Sequence, residues 1–342
     1  MTGQQIVEVD PHDESAVIAW REVMAAAARH EVGQHATIWT EQELLAMVQQ
    51  PGKARRTLLF NGLLDGEVVA AGSLSLRLLD NVDAAEIDVA VRPDVRRRGL
   101  GSQMLVRLEE MARTEGRTRF EAEARWPYAG PSDGAGTAGV EFAQRHGYSF
   151  GLGDVQRELD LPVDDALLAE LAAEASPYHA GYEIRSWEGP VPDDLVVSWL
   201  ELSSTLMTEA PTGAMEREAE AVDVGAHRES EEIQAKQGRT TWHTVALDRD
   251  GTVVAYTQLV VSGSEQQFIF QWGTLVHREH RGHRLGMAVK VANHRFLQAG
   301  ADVTGRRVAT WNAEVNDHMI GINERLGYAT AARNGELQKK LV

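Results

Sequence analysis

Cysteine is absent from the 342-residue chain, which excludes disulfides, thiolate metal sites and a cysteine nucleophile. No apolar run approaches the roughly 18–20 residues of a membrane span. Positive charge is scarce: 34 lysines and arginines stand against 51 acidic residues, for a net charge of −17. That balance argues against general attraction to nucleic acid or to an anionic membrane, and it suits a cationic, amine-bearing ligand as well as plain solubility. The opening stretch MTGQQIVEVDPHDE is polar and acidic, unlike a secretory signal or a transit peptide, so the expected location is cytoplasmic. What remains, 43% hydrophobic and 25% charged residues, is the composition of a soluble globular protein long enough for two domains with separate cores.

Periodicity gives the same order of elements twice, β-α-α-β-β-β-α-β-α-β. In the first half, residues 4–10 read as a strand and 14–28 as an amphipathic helix. Thr40-Glu41-Gln42-Glu43 carries a capping box. Strands at 56–64 and 68–79 flank a turn at Asp65-Gly66, and a further strand at 85–91 ends in Arg92-Pro93. A helical stripe over 100–114, a strand at 118–124, a helix at 137–146 and two closing strands near 149 and 155–161 complete it. The second half places strands at 182–187, 241–247, 253–261, 268–276, 307–312 and 336–341. Its helices fall at 193–207, 226–237, 285–297 and 317–325. An alanine-, leucine- and acid-rich segment at 164–175 reads as a helical connector, dividing the chain into domains at 1–162 and 181–342 with the connector at 163–180.

Each half also carries a basic, glycine-containing loop between a strand and a helix. Arg96-Arg97-Arg98-Gly99-Leu100-Gly101 is the first, and Arg281-Gly282-His283-Arg284-Leu285-Gly286 the second. Amides at a helix N-terminus lack intrahelical partners, and the helix dipole is positive there, so such a loop suits a pyrophosphate. His277-x-x-His280-x-x-His283 falls across the start of the second loop, no cysteine or obvious carboxylate completes a metal site there, and no metal is expected. Trp187, Trp199, Trp242 and Trp272 read as core aromatics.

Arg96-x-x-Gly99-x-Gly101 resembles the acyl-CoA loop, Q/R-x-x-G-x-G/A, of the GCN5-related N-acetyltransferase (GNAT) family. The preceding Glu86-Ile87-Asp88-Val89-Ala90-Val91-Arg92-Pro93 is similar to that family's fourth strand, and Phe142-x-x-x-His146-Gly147-Tyr148 to its last helix and closing triplet. Thr274-Leu275-Val276, Trp311-Asn312-Ala313-Glu314-Val315-Asn316 and Leu326-Gly327-Tyr328 repeat the set. The resemblance covers nearly the whole chain. It implies an α/β fold of two tandem GNAT domains, each a mostly antiparallel mixed sheet flanked by helices. The implied activity is acyl transfer, with acetyl-CoA as donor and the primary amine of a small molecule as acceptor, in a ternary complex. A non-catalytic acyl-CoA-binding or regulatory protein is the alternative.

By the same resemblance, the amides of Arg98, Gly99, Leu100, Gly101 and Ser102, with the side chains of Arg96 and Arg97, would face the pyrophosphate. The second-half equivalents are Arg281, Gly282, His283, Arg284, Leu285, Gly286 and Met287. Backbone groups of Val89, Ala90 and Val91, and of Leu275 and Val276, would meet the pantetheine arm and the oxyanion. Asn312 and Asn316 would face cofactor or substrate. Glu86, then Asp88, are the candidate bases, on one strand face by their i, i+2 spacing. Glu121 and Glu123 lie likewise on the next strand. In the second half Phe270-Gln271-Trp272-Gly273 runs through the position of Glu86, leaving Glu314 and His318 as ionisable candidates. Two departures stand out. Arg284 replaces the motif's first glycine, and Ala143 and Asn323 stand where many members carry a tyrosine acid. Segments 29–40 and 209–225, with Glu209, Glu216, Glu218 and Glu220, are the expected specificity regions. Nothing in the sequence sets the oligomeric state, monomer or homodimer.

Overall fold

Asp65 and Gly66 adopt positive φ angles of 52° and 84°, as a tight hairpin requires. They turn the chain between two strands paired over their whole length, from Arg55↔Arg77 to Leu64↔Glu67. In the computed structural model, which describes residues 5–341, these are the second and third strands. The chain begins β1 (Gln5–Glu8), α1 (Glu14–Val32), α2 (Glu41–Gln49), β2 (Arg55–Leu64), β3 (Glu67–Arg77) and β4 (Ala84–Val91). It continues with α3 (Leu100–Thr114), β5 (Arg119–Pro127), α4 (Ala138–Arg145), β6 (Ser149–Asp160) and α5 (Asp165–Ala175). Next come β7 (Glu183–Glu188), α6 (Val196–Ser203), α7 (Leu206–Glu209), α8 (Val224–Lys236), β8 (Arg239–Leu247) and β9 (Val253–Ser262). The last elements are β10 (Phe268–Val276), α9 (Leu285–Gly300), β11 (Arg307–Ala313), α10 (Asp317–Leu326) and β12 (Ala329–Lys340).

Contacts divide the chain into two units. The first holds residues up to 155, 212–217 and those from 331 onward; the second holds 156–211 and 218–330. The linear division at 162 and 181 follows the duplication, whereas the units are assembled by packing, and the closing strand of the second half completes the first unit. There β12 pairs antiparallel with β5 in unbroken register, from Ala332↔Pro127 to Lys340↔Arg119. Around it Lys339 Nζ meets the buried Glu109 at 2.7 Å, Gln338 bonds Glu121 at 3.0 Å, and Arg217 pairs with Glu336. Met215 is buried in the same unit, its sulfur against Gly151.

The first unit's sheet runs β1-β2-β3-β4-β5-β12, antiparallel except for β4 and β5. Each face has its own core. One is Met104, Leu108, Phe120 and Trp126 under α3; the other is Val17, Trp20, Val23 and Leu44 from α1 and α2. Gly72 is held between them. Trp20 donates its Nε1–H to the Gly72 carbonyl at 2.8 Å, and a Cβ at Gly72 would lie 2.8 Å from Met104. The second unit's sheet runs β11-β10-β9-β8-β7, again with one parallel pair, β10 and β11.

The expected capping box forms, with Thr40 Oγ1 accepting from Glu43 N and Glu43 accepting from Thr40 N. The expected helix over 193–207 is broken in two. Hydroxyls of Ser203, Ser204 and Thr205 turn back to carbonyls three residues earlier, which competes with helix continuation. The two closing strands expected near 149 and 155–161 are one strand, β6. Of the four expected core tryptophans, Trp199 and Trp242 are buried, while Trp187 and Trp272 are half-buried. Gln4, where the first strand was expected to begin, lies outside the described residues.

Candidate active site

In both units the parallel pair opens. β4 and β5 pair at Ala84↔Arg119, Ala85↔Phe120 and Glu86↔Glu121, and no further, although both strands continue. β10 and β11 do the same after Phe270↔Ala309. Beyond that point β4 has one neighbour, β3. Arg92 N donates to Val69 O, so by strand alternation the amides of Ala90 and Asp88 also point to β3. Those of Val89 and Val91 point into the opening. His277 N donates to Val254 O in the second unit, which turns Thr274 and Val276 into its opening and commits Leu275 to the ladder with β9. The expected donors Ala90 and Leu275 are therefore spent within the sheets, and Thr274 takes the place given to Leu275.

The two loops share one backbone design. Arg97 and Gly99 have φ of 66° and 83°, and Gly282 and Arg284 have 87° and 51°. The left-handed positions are the same, and glycine occupies a different one of them in each loop. The first intrahelical bond runs from Gln103 N to Gly99 O in one unit and from Ala288 N to Arg284 O in the other. Amides of Leu100, Gly101 and Ser102, and of Leu285, Gly286 and Met287, thus lack intrahelical acceptors, and no side chain caps either helix. Gly101 packs on Val91 and Phe142, and Gly286 on Ile322.

An arginine braces each loop from behind. Arg96 Nε donates to Val91 O at 3.0 Å and pairs with Glu31 at 2.6 Å; Arg281 Nε reaches Val276 O at 3.4 Å and pairs with Glu209 at 3.0 Å. Both are committed to holding the loop, while Arg97 and Arg98 are exposed. Arg284 stacks 4.3 Å over Tyr178 and pairs with Glu174 at 3.6 Å. His283 meets the Tyr178 carbonyl at 3.2 Å, His280 the Tyr182 hydroxyl at 3.0 Å, and His277 the amide of Glu279 at 3.4 Å.

Glu86, Asp88, Glu121, Glu123 and Arg125 share the α1 face, since the alternating Ile87, Phe120, Ala124 and Trp126 belong to the core under α3. Their environments differ. Glu86 is gripped by Arg55 at 2.5 and 3.0 Å and by Arg77 at 3.3 Å. Burial works against its charge, but the guanidinium of Arg55 and then that of Arg77 outweigh it and hold the carboxyl below its usual range. Asp88, by contrast, has one hydroxyl partner, Ser73 at 3.1 Å. Partial loss of its hydration to the surrounding protein, then the negative charge of Glu123, push its pKa up to about 6. Water reaches the Asp88 side chain, so the protein surrounds this carboxylate without covering it. Glu121 is taken by Gln338, and Glu123 by Arg125 at 3.5 Å.

At the register position of Glu86 the second unit has Phe270 in place of an acid. A bulge between Gln271 and Thr274 there is filled by the Gln271 side chain, which bonds Thr257 Oγ1 at 3.0 Å. Asn316 caps α10 by accepting from Met319 N, so its oxygen faces the helix and not a ligand. Asn312 lies on β11 past the last paired residue and accepts from Asn323 at 2.6 Å. His318 is exposed. Glu209 and Glu216, in the expected specificity segment, are ion-paired with Arg278 and Arg281 and with Lys340. Sequence reasoning missed Arg55, Arg77, Ser73 and Glu31. Arg77 and Ser73 reach it across the β3–β4 pairing, and Arg55 and Glu31 from 31 and 65 residues away in sequence, so strand register and packing place them rather than any local motif.

Residues 20–127 match the model of the acetyltransferase (GNAT) family. The structure is similar to that of a tandem GNAT protein from the clavulanic acid biosynthesis pathway, solved without AcCoA. The two are 26% identical, with 99% of this chain and 98% of that chain covered and a TM-score of 0.79. It is also similar in fold to a GCN5-related N-acetyltransferase from Sphaerobacter thermophilus, at 15% identity, 98% and 95% coverage and a TM-score of 0.66. No curated protein matches the sequence significantly.

Proposed function

Because the chain is a tandem member of the GCN5-related N-acetyltransferase superfamily, we propose that it transfers the acetyl group of acetyl-CoA to the primary amine of a small molecule, with the chemistry in the first unit. The observation that carries this reading is the coincidence, at one opening, of free amides at Val89 and Val91, an uncapped helix start at Gly99, and Asp88. Amides of Leu100, Gly101 and Ser102 bind the pyrophosphate. The Val89 and Val91 amides flank the pantetheine arm, and one of them donates to the oxyanion that forms on the thioester carbonyl. Asp88 takes the proton of the incoming ammonium, directly or through a water, and the freed amine attacks. The C–N bond forms, the C–S bond breaks, and the second proton of the attacking nitrogen passes through water to the departing CoA thiolate. Asp88 is preferred to Glu86 because the ion pairs of Glu86 tie up its lone pairs and lower its basicity. The carboxylates on this face favour a cationic acceptor.

In the second unit the same loop and opening bind an acyl-CoA, with no acid–base group at the position of Glu86; that unit serves as a binding site. Calorimetric titration with acetyl-CoA, together with CoA release over a panel of amines, tests both parts. Two sites per chain and turnover abolished by Gly101→Glu are expected. Binding without turnover on any amine would leave the acyl-CoA-binding alternative in place of the enzyme.

A further inference from the structure

Lys290 lies in the middle of α9 with 1% of its surface exposed. Among the described residues its ammonium makes one hydrogen bond, donating to Asn323 Oδ1 at 2.7 Å, and it lies 5.2 Å from the ring of Tyr328. Asn323, fully buried on α10, passes the bond on: its Nδ2 donates to Asn312 Oδ1 at 2.6 Å. Asn312 then has its own NH2 group left, with no partner among the described residues, on the stretch of β11 that has parted from β10. A lysine, two carboxamides and a strand opening are thus connected in one line. The second unit spends a buried cation on the far end of it.

An ammonium can only donate. With such a group at its head the chain has one allowed polarity: Nζ–H to the oxygen of Asn323, NH2 of Asn323 to the oxygen of Asn312, and NH2 of Asn312 outward. A neutral amine can also accept, so without the proton either carboxamide is free to reverse. We propose that Lys290 is a positioning residue that fixes Asn312 as a hydrogen-bond donor toward the second opening, and so selects a ligand that presents a carbonyl there, such as an amide of a pantetheine arm. This rests on the reading that the second unit binds an acyl-CoA.

The groups packed around Lys290 are His294 from α9, Tyr328 just before β12 and Asn323 from α10. Burial holds His294 at about 3 and raises Tyr328 far above neutrality, so neither is charged near pH 7. Burial alone lowers Lys290 to about 7, which places the loss of fixed polarity inside an accessible pH range.

The test uses the full chain carrying Gly101→Glu, in which only the second opening binds, titrated calorimetrically with acetyl-CoA at pH 6 and pH 8.5. The affinity ratio between the two pH values is expected to be about two- to tenfold larger with Lys290 than with Lys290→Met. Comparing the two proteins removes any titration of the ligand's own phosphates. Equal ratios would overturn the proposal while leaving the binding reading intact; no binding with Lys290 present would overturn the reading and the proposal with it. Asn312→Asp, which exchanges the donor for an acceptor at nearly constant shape, is expected to weaken binding at both pH values. Unchanged affinity there would overturn the proposal even if Lys290→Met did not fold.

Discussion

Lys290→Met should make the protein more stable at neutral pH and less stable in alkali. Burial lowers the Lys290 ammonium from 10.5 to about 7, while the unfolded chain keeps the ordinary value. At about 1.4 kcal/mol per pH unit, the native state below pH 7 bears a penalty of about 5 kcal/mol. Between pH 7 and 10.5 the unfolded chain holds the proton that the native state has lost, so stability rises with pH and the penalty vanishes near the upper limit. Methionine removes the penalty but leaves Asn323 Oδ1, now unpartnered and fully buried, at a cost of about 1–3 kcal/mol. The variant is therefore expected to gain about 2–4 kcal/mol at pH 7, to cross the wild type near pH ~9, and to lose beyond it. Urea unfolding followed by tryptophan fluorescence at several pH values between 6.5 and 10.5 reads the difference. A variant less stable than wild type at pH 7, or a difference that does not change with pH, would refute the reasoning.

Three further outcomes are expected. Asp88→Asn should lower turnover at pH 7.5 by about 100-fold or more while leaving acetyl-CoA affinity within about twofold. Because the Asp88 carboxylate must be ionised to act, the wild-type rate should fall as pH drops through about 6; a variant rate equal to wild type, or a fall only near pH 4, removes Asp88 as base. Gly72→Ala should destabilise by about 1–3 kcal/mol in urea, since its methyl meets Met104 on one side while Trp20 holds the carbonyl on the other. A stop after Tyr328 should abolish acetyl-CoA binding at the first loop, although every residue of that loop is still present; calorimetry that finds both sites intact would contradict the pairing of β12 with β5.

What was legible in the sequence was what neighbours along the chain decide. Thr40 and Glu43 announced their capping box, Asp65-Gly66 its turn, and the two basic loops their place between strand and helix. The replacement of glycine by Arg284 was legible as a departure, and its left-handed φ and its contact with Tyr178 show how the second loop accommodates it. The candidate base was half legible. Spacing put Glu86 and Asp88 on one face, but only the cross-strand register Arg55↔Arg77 shows two guanidinium groups converging on Glu86 and leaving Asp88 as the more basic carboxylate. Lys290 gave no sign because an isolated lysine in a helix ordinarily faces water. The destination of β12 was equally hidden, since a strand's own alternation does not name its partner.

That strand has a consequence for how the chain is made. Gln338 meets Glu121 across 217 residues of sequence, so most of the first unit emerges from the ribosome early and waits for this strand until the intervening second unit has been translated. Until then β5 has a bare edge, the kind that recruits strands from other molecules. Nascent chains stalled before residue 329 should therefore be the species most dependent on chaperones. A half cut cleanly at the duplication boundary inherits the same exposed edge for good, which makes the pair of repeats a single unit of inheritance even though each carries its own loop and its own opening.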